Sequence, residues 1–213
     1  MKESTIRKKD DEKNGVAENY PYEELIAELT DKMEDVLDRK RMRHTLSVAQ
    51  TAACMAMCHG EDPYKAYIAG LLHDCAKCLK NKKKLELAKE FGLLVSEAAQ
   101  ENPDLLHAAL GAELAKKEYG IEDESIISAI RWHTTGKPDM TRLEMIVYIA
   151  DYIEIHRKTL PLLANARRVA FSDLEECMCV ILESTLSFLG KKGAAVDPIT
   201  RESYEYYKKG GRL

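Results

Sequence analysis

Apolar residues in this chain return every third or fourth position, stretch after stretch, and nowhere alternate with polar ones as a half-buried strand requires. That spacing confines the chain to helices. Across residues 22–38, Leu25, Ile26, Leu29, Met33 and Leu37 fall on one helical face behind Pro21. Residues 44–59 read as a second helix whose Leu46, Val48, Ala52, Met55, Ala56 and Cys58 leave little polar surface, so burial is expected until Gly60 ends it. Asp62 before Pro63 is a cap and first-turn signature opening a third helix through Tyr67, Ile68, Leu71 and Leu72. Further helices are predicted over 84–91, 103–119, 122–133, 141–155 and 172–189, with Gly92, Gly120, Gly136 and Gly190 as terminators. Val, Thr and Phe are sparse beside Leu, Ala, Glu and Lys. The expected fold is all-α, an irregular helical bundle with short loops.

A chain of 213 residues favours one domain, and folding at this size buries roughly 70% of the unfolded surface, enough for a core without metal or disulfide staples. A metal here should therefore serve function. The expected organisation is a charged, mobile leader over 1–20, a single helical domain over 21–209 and a mobile tail over 210–213. No window approaches the roughly 18 consecutive apolar residues of a membrane span, and the opening MKESTIRKKDDEKNG lacks the apolar stretch of a secretory signal, so a cytoplasmic protein is expected. A net charge of −4 speaks against nucleic acid as a partner and leaves room for a small phosphate ligand held by a few local cations. The cysteines, paired closely as Cys54 with Cys58, Cys75 with Cys78 and Cys177 with Cys179, are expected to stay reduced.

The six histidines are His44, His59, His73, His107, His133 and His156, and most lie in or at the ends of apolar helical stretches. In AGLLHDCAK, His73 and Asp74 follow two leucines; in IVYIADYIE, Asp151 sits among Ile146, Val147, Ile149, Ala150 and Ile153. Carboxylates in such surroundings need partners, because an unpaired buried charge is costly or shifts its pKa. A lone buried histidine is usually bonded to a backbone carbonyl, and an HD dipeptide alone is weak evidence. The joint pattern is stronger. His107 shares a face with Gly111 and Leu114, and His133 is in phase with Ile126, Ala129 and Ile130, so both should point inward. Four or five imidazoles with two carboxylates form a nitrogen and oxygen set suited to iron, manganese or zinc rather than calcium.

The order His44, then His73 with Asp74, then Asp151 resembles the HD superfamily of metal-dependent phosphohydrolases. More closely, RMRHTLSVAQTA, AGLLHDCAK, LLHAALGAELA and AIRWHTTGKPDMTRLEMIVYIADYIE, over residues 41–189, resemble the bacterial YqeK-type symmetrical diadenosine tetraphosphate hydrolases. The resemblance implies an HD-type bundle in which His44, His73, Asp74 and Asp151 bind iron or a similar divalent metal. It makes His107 and His133 second-metal or phosphate-binding residues. It also implies nucleotide contacts from Arg41, His44, His107, His133, Asp151, Arg157 and the Asp197 to Pro198 segment, and catalytic roles for Asp74 and Lys77. The substrate implied is diadenosine tetraphosphate, the product ADP or a GDP-like nucleotide, and the assembly a homodimer. The chain departs from the family pattern at Ile155, His156 and Glu205.

Such a set suits phosphoanhydride hydrolysis, because a bound divalent ion lowers the pKa of water from about 15.7 toward about 7 and polarises a phosphoryl oxygen. Arg41, Arg157 and Lys77 would offset phosphate charge. Two alternatives stand beside this reading: an HD-type nucleotidase or phosphodiesterase acting on another phosphate ester such as a guanosine alarmone, and a sensor that binds metal and nucleotide without turnover. The lysines at 80, 82, 83 and 84 read as a solvated edge without a role. Cys75 and Cys78 have the spacing of half a zinc site but no matching second pair. Trp132 is expected either to pack at a helix end or to stack on a base.

Overall fold

The computed structural model describes residues 22–158, 160 and 162–211. The leader expected over 1–20 and the end of the tail lie outside them. Among the described residues there are helices and no strands. The first helix, α1 (Glu23–Val36), buries Leu29 and Met33 on its periodic face. Next, α2 (Arg39–His59) starts five residues earlier than its apolar pattern suggests, because the Asp38 carboxylate accepts from the amides of Lys40 and Arg41 and caps it there. It ends at Gly60, whose φ of 67° is the left-handed conformation expected of a terminating glycine.

After the Asp62 cap, α3 (Pro63–Leu72) is apolar nearly throughout and lies between neighbours. Two shorter helices, α4 (Asn81–Glu90) and α5 (Glu97–Glu101), contribute Leu87, Ala88 and Ala99 to a small satellite core completed by Ala76, Leu106 and Leu110. The helix expected over 103–119 is two pieces: a 3₁₀ turn at Pro103–Leu106, capped by Asn102, and then α6 (His107–Lys117). That break sets the direction in which His107 points.

The centre of the bundle is α8 (Arg142–Ile153), which follows α7 (Glu124–Trp132). A reciprocal capping box between Thr141 and Glu144 starts it, and nine of its residues, from Leu143 to Ala150 and Ile153, are buried. A helix apolar all round must be surrounded, and α2, α3, α7, α9 (Leu163–Val169) and α10 (Leu174–Lys192) pack against α8. Gly190 does not end α10 as predicted. The helix runs on to Lys192 and stops at Gly193, which adopts φ 60° and so supplies the left-handed cap. The last helix, α11 (Pro198–Lys208), rests on α10. Trp132 packs against the main core at the end of α7. Among the described residues, no helix is long and apolar enough to cross a membrane.

Candidate metal centre

Five helix ends meet at one point, and each delivers one of the histidines or aspartates singled out in the sequence. His44 lies in the first turns of α2, His73 closes α3 with Asp74 next to it, His107 opens α6, His133 closes α7, and Asp151 sits in the last turn of α8. His59 and His156 do not join them. His59 bonds through Nε2 to the Ala170 carbonyl at 2.8 Å, and His156 is exposed.

One local device orients three of the imidazoles. His73 Nδ1 donates to the Gly70 carbonyl at 2.6 Å, His133 Nδ1 to the Ile130 carbonyl at 2.7 Å, and His107 Nδ1 to the Asp104 carbonyl, each three residues back along the chain. For His44 the acceptor is the buried Glu154, whose Oε1 lies 3.0 Å from Nδ1. A carbonyl or carboxylate can only accept, so Nδ1 carries a proton in all four rings, and each Nε2 is left facing inward, where a neutral ring offers its lone pair to a metal. Such outer partners are how metal-ligating imidazoles are held.

The carboxylates stand among these nitrogens. Asp151 Oδ1 is 2.9 Å from His44 Nε2 and 3.8 Å from His73 Nε2, and Asp74 Oδ2 is 3.4 Å from His73 Nε2 and 3.9 Å from His44 Nε2. The other Asp74 oxygen, Oδ1, faces His107 Nε2 at 3.3 Å and His133 Nε2 at 3.8 Å. Two overlapping triads result, His44 with His73 and Asp151, and His73 with Asp74 and His133, each with its ligand atoms within 4.8 Å of one another. His44 Nε2 and His73 Nε2 are buried and have no hydrogen-bond partner. Orphaned buried nitrogens are rare, and lone pairs aimed between two carboxylates are what a divalent cation satisfies. The donor set therefore fits a divalent metal.

Cationic side chains balance the carboxylates. Arg41 Nη1 is 2.7 Å from Asp74 Oδ2, and Arg157 Nη2 is 2.5 Å from Asp151 Oδ1 while its Nε donates to the Asp151 carbonyl at 2.6 Å. Burial alone would raise the Asp74 pKa, but the His73 and His107 imidazoles outweigh it and hold the acid well below the ordinary range. Burial likewise opposes ionisation of Asp151, and Arg157, His44 and His73 overcome it. For His73, burial disfavours charge but the Asp74 and Asp151 carboxylates prevail and raise its pKa. Burial, aided by His73 and His107, depresses His133 to about 3. His133 is thus a neutral ring at neutral pH.

Arg41, Asp74, His107, His133, Asp151 and Arg157 line a cavity of about 350 Å³ together with Lys77, Thr134, Tyr148, Tyr152, Ile181 and Phe188. Lys77 Nζ pairs with Asp104 Oδ2 at 2.7 Å and lies 3.5 Å from His107 Nδ1. Asp197 and Pro198 stay outside the cluster. Asp197 caps α11 through the Ile199 amide, accepts from Ser96 and lines an adjoining cavity. The lysine run is not wholly solvated: Lys84 is 2% exposed and its ammonium donates to Asp104 Oδ1 at 2.7 Å and to the Lys77 carbonyl at 3.0 Å. Among the described residues, neither triad includes a cysteine. Sequence reasoning passed over Glu154 and Thr134, whose Oγ1 is 3.1 Å from both His107 Nε2 and His133 Nε2. Only the HTT string beside His133 offered a signal for Thr134.

A helical bundle whose separate helices bring histidines and aspartates to one buried point defines a class of helical proteins with a His/Asp metal centre. Within that class this chain belongs to the HD domain family, whose model matches residues 41–155. It is 39% identical over 175 residues to the symmetrical bis(5'-nucleosyl)-tetraphosphatase of Bacillus subtilis strain 168, covering 82% of this chain and 92% of that protein. It is 34% identical to the Staphylococcus aureus protein of the same name, over 82% and 90% of the two chains. A crystal structure from Clostridium acetobutylicum, described as a predicted HD superfamily hydrolase involved in NAD metabolism, superposes with a TM-score of 0.82 at 39% identity, covering 86% of this chain and 96% of that one.

Proposed function

We propose that this chain hydrolyses diadenosine tetraphosphate symmetrically, to two molecules of ADP, using a divalent metal held by His44, His73, Asp74 and Asp151, with iron the leading candidate ahead of manganese and zinc. The observation that carries the reading is the pair of buried Nε2 lone pairs on His44 and His73, which lack partners and face the Asp74 and Asp151 carboxylates. Relatives matching most of this chain and bearing the tetraphosphatase name supply the substrate. When bound, the metal supplies a water of lowered pKa and neutralises charge on the scissile phosphoryl group. A mixed imidazole and carboxylate set suits iron, manganese or zinc.

The remaining roles belong to the chain itself. Arg41 and Arg157 each flank the cluster from the mouth of the cavity, and the planar guanidinium can turn donors not used on Asp74 or Asp151 toward phosphate oxygens. Lys77 adds a third cation, fixed by Asp104. His107 and His133, 3.1 Å apart at Nε2, face the cavity as phosphate or second-cation ligands. Tyr152, Ile181 and Phe188 give a nucleobase an apolar wall. The Asp197 segment would contact the nucleotide from the adjoining cavity. Free cysteines are consistent with a reducing cytoplasm, and light scattering tests the homodimer that the resemblance implies.

The test is to incubate purified protein with iron, manganese or zinc and a panel of nucleotides and to identify products. ADP alone from the dinucleotide is expected. Turnover of a different phosphate ester in its place would favour the nucleotidase or phosphodiesterase alternative, and no product from any compound would favour the sensor. D74A and D151A are expected to lose both bound metal and turnover; full turnover in either would refute the proposed centre.

A further inference from the structure

Three cavities adjoin along the face that carries the His/Asp cluster. The central one shares Arg41, Arg157 and Leu160 with a neighbour of about 430 Å³ on one side. On the other side it shares Thr134, Thr185 and Leu189 with a neighbour of about 400 Å³. The reactive cluster thus has a cavity at each flank. The flank beyond Arg41 and Arg157 is the cationic one: Lys40, Arg43, His156 and Lys158 line it.

Its two carboxylates are already committed. Asp38 caps α2 through the Lys40 and Arg41 amides, and Glu154 accepts from His44 and from the His156 amide at 2.5 Å. Among the described residues, Lys40, Arg43 and Lys158 have no ion-pair partner. Lys40, Arg41, Arg43, Arg157 and Lys158 outnumber the two carboxylates around this concavity, and such an excess of positive charge attracts phosphate over a Debye length of about 8 Å at physiological salt.

On the reading that the substrate is cut at its midpoint, a nucleoside diphosphate must lie on each side of the cluster. Ligand cavities for drug-sized molecules run roughly 300–1,000 Å³, and a dinucleoside tetraphosphate belongs at the upper end, beyond what the central cavity alone encloses. We propose that the cavity lined by Lys40, Arg43 and Lys158 is a second half-site, which holds the phosphates of one nucleoside diphosphate half while the other half lies across the central cavity. The inference rests on the proposed function.

ADP itself is the probe. Titration calorimetry of the wild-type protein is expected to give two ADP per chain, and the R43E/K158E variant is expected to give one. Both substitutions lie on exposed positions, and thermal melting with metal analysis should show the variant folded and as metal-loaded as wild type. The KM for diadenosine tetraphosphate is expected to rise at least about tenfold in the variant. One ADP per chain in wild type, or two in the variant, overturns the half-site. If wild type fails to yield ADP from the dinucleotide, the proposed function falls, while the ADP count still decides whether the half-site exists.

Discussion

His44 and Glu154, separated by 110 positions in sequence, face each other with Nδ1 3.0 Å from Oε1, and Glu154 is otherwise buried. The contact leaves His44 Nε2 free to point at Asp151 and Asp74. Carboxylates that orient metal-ligating imidazoles typically contribute 10- to 100-fold in metal affinity. E154A is therefore expected to weaken metal binding by about that factor with D74A-like loss of turnover at limiting metal. E154Q keeps an acceptor oxygen and should fall between. Competition titration with a chelator measures it, and wild-type affinity in E154A would remove the orienting role.

Asp104 joins two lysines: Oδ1 accepts from buried Lys84 and Oδ2 from Lys77, both at 2.7 Å. Burial works against its charge, but the two ammonium groups outweigh that and lower its pKa to about 2. D104N keeps one acceptor oxygen but removes the charge, leaving the Lys84 and Lys77 ammonium groups without their counterion. Breaking a fully buried pair costs about 3–5 kcal/mol, and because Asp104 is partly exposed a loss of about 2 kcal/mol is expected in urea unfolding at neutral pH. A carboxylate with a depressed folded-state pKa stabilises most above its ordinary value of 3.8 and loses that contribution as pH falls through about 2. The gap between wild type and D104N should accordingly narrow between pH 4 and pH 2. A gap that stays constant over that range would mean the asparagine acts by shape alone.

Helices with a strong apolar period, and the H, HD and D order with its inward phase, were readable from sequence because both are local. Their partners were not. Glu154 follows an apolar run and gains its role only when α8 packs against α2. Lys84 looked like any member of a lysine run, although Leu87, Ala88 and Phe91 follow it at helical spacings of three, four and seven and mark its face as the inner one. The short α5 and α9 carry too few turns to show a period. For α11 the cap signature was present, since Asp197 before Pro198 repeats the Asp62 and Pro63 pair that opens α3, but its helix is largely polar and the pair was read as a substrate contact.

Gly70 sits where α3 crosses α2. A Cβ there would meet the Ala49 Cα at 2.8 Å and its amide nitrogen at 3.1 Å, distances that backbone atoms cannot relieve by a rotamer change. The Gly70 carbonyl also fixes His73. G70A must push the two helices apart and is expected to cost about 1–3 kcal/mol of stability, as overpacked cores do. It should also reduce metal affinity, because His73 moves with its carbonyl. Chemical denaturation and metal titration on the same variant check both, and a stable G70A with wild-type metal binding would refute the close crossing as a determinant of the centre.

The cysteines divide by environment. Cys75, beside Asp74, is buried, and burial together with that carboxylate pushes its thiol to about 12; burial likewise takes Cys177 to about 12. Thiolates are the reactive species, so at pH 8 neither should react in the native state. Cys54, Cys58 and Cys78 are exposed. An aromatic disulfide reagent is expected to titrate those three rapidly, the half-buried Cys179, whose thiol burial pushes up, more slowly, and Cys75 and Cys177 only in denaturant. Peptide mapping assigns the sites. Because Cys75 follows Asp74 directly, its labelling rate also reports on opening of the loop that carries the aspartate. Rapid native labelling at Cys75 would show that the loop opens far more often than its packing against Gly111 allows.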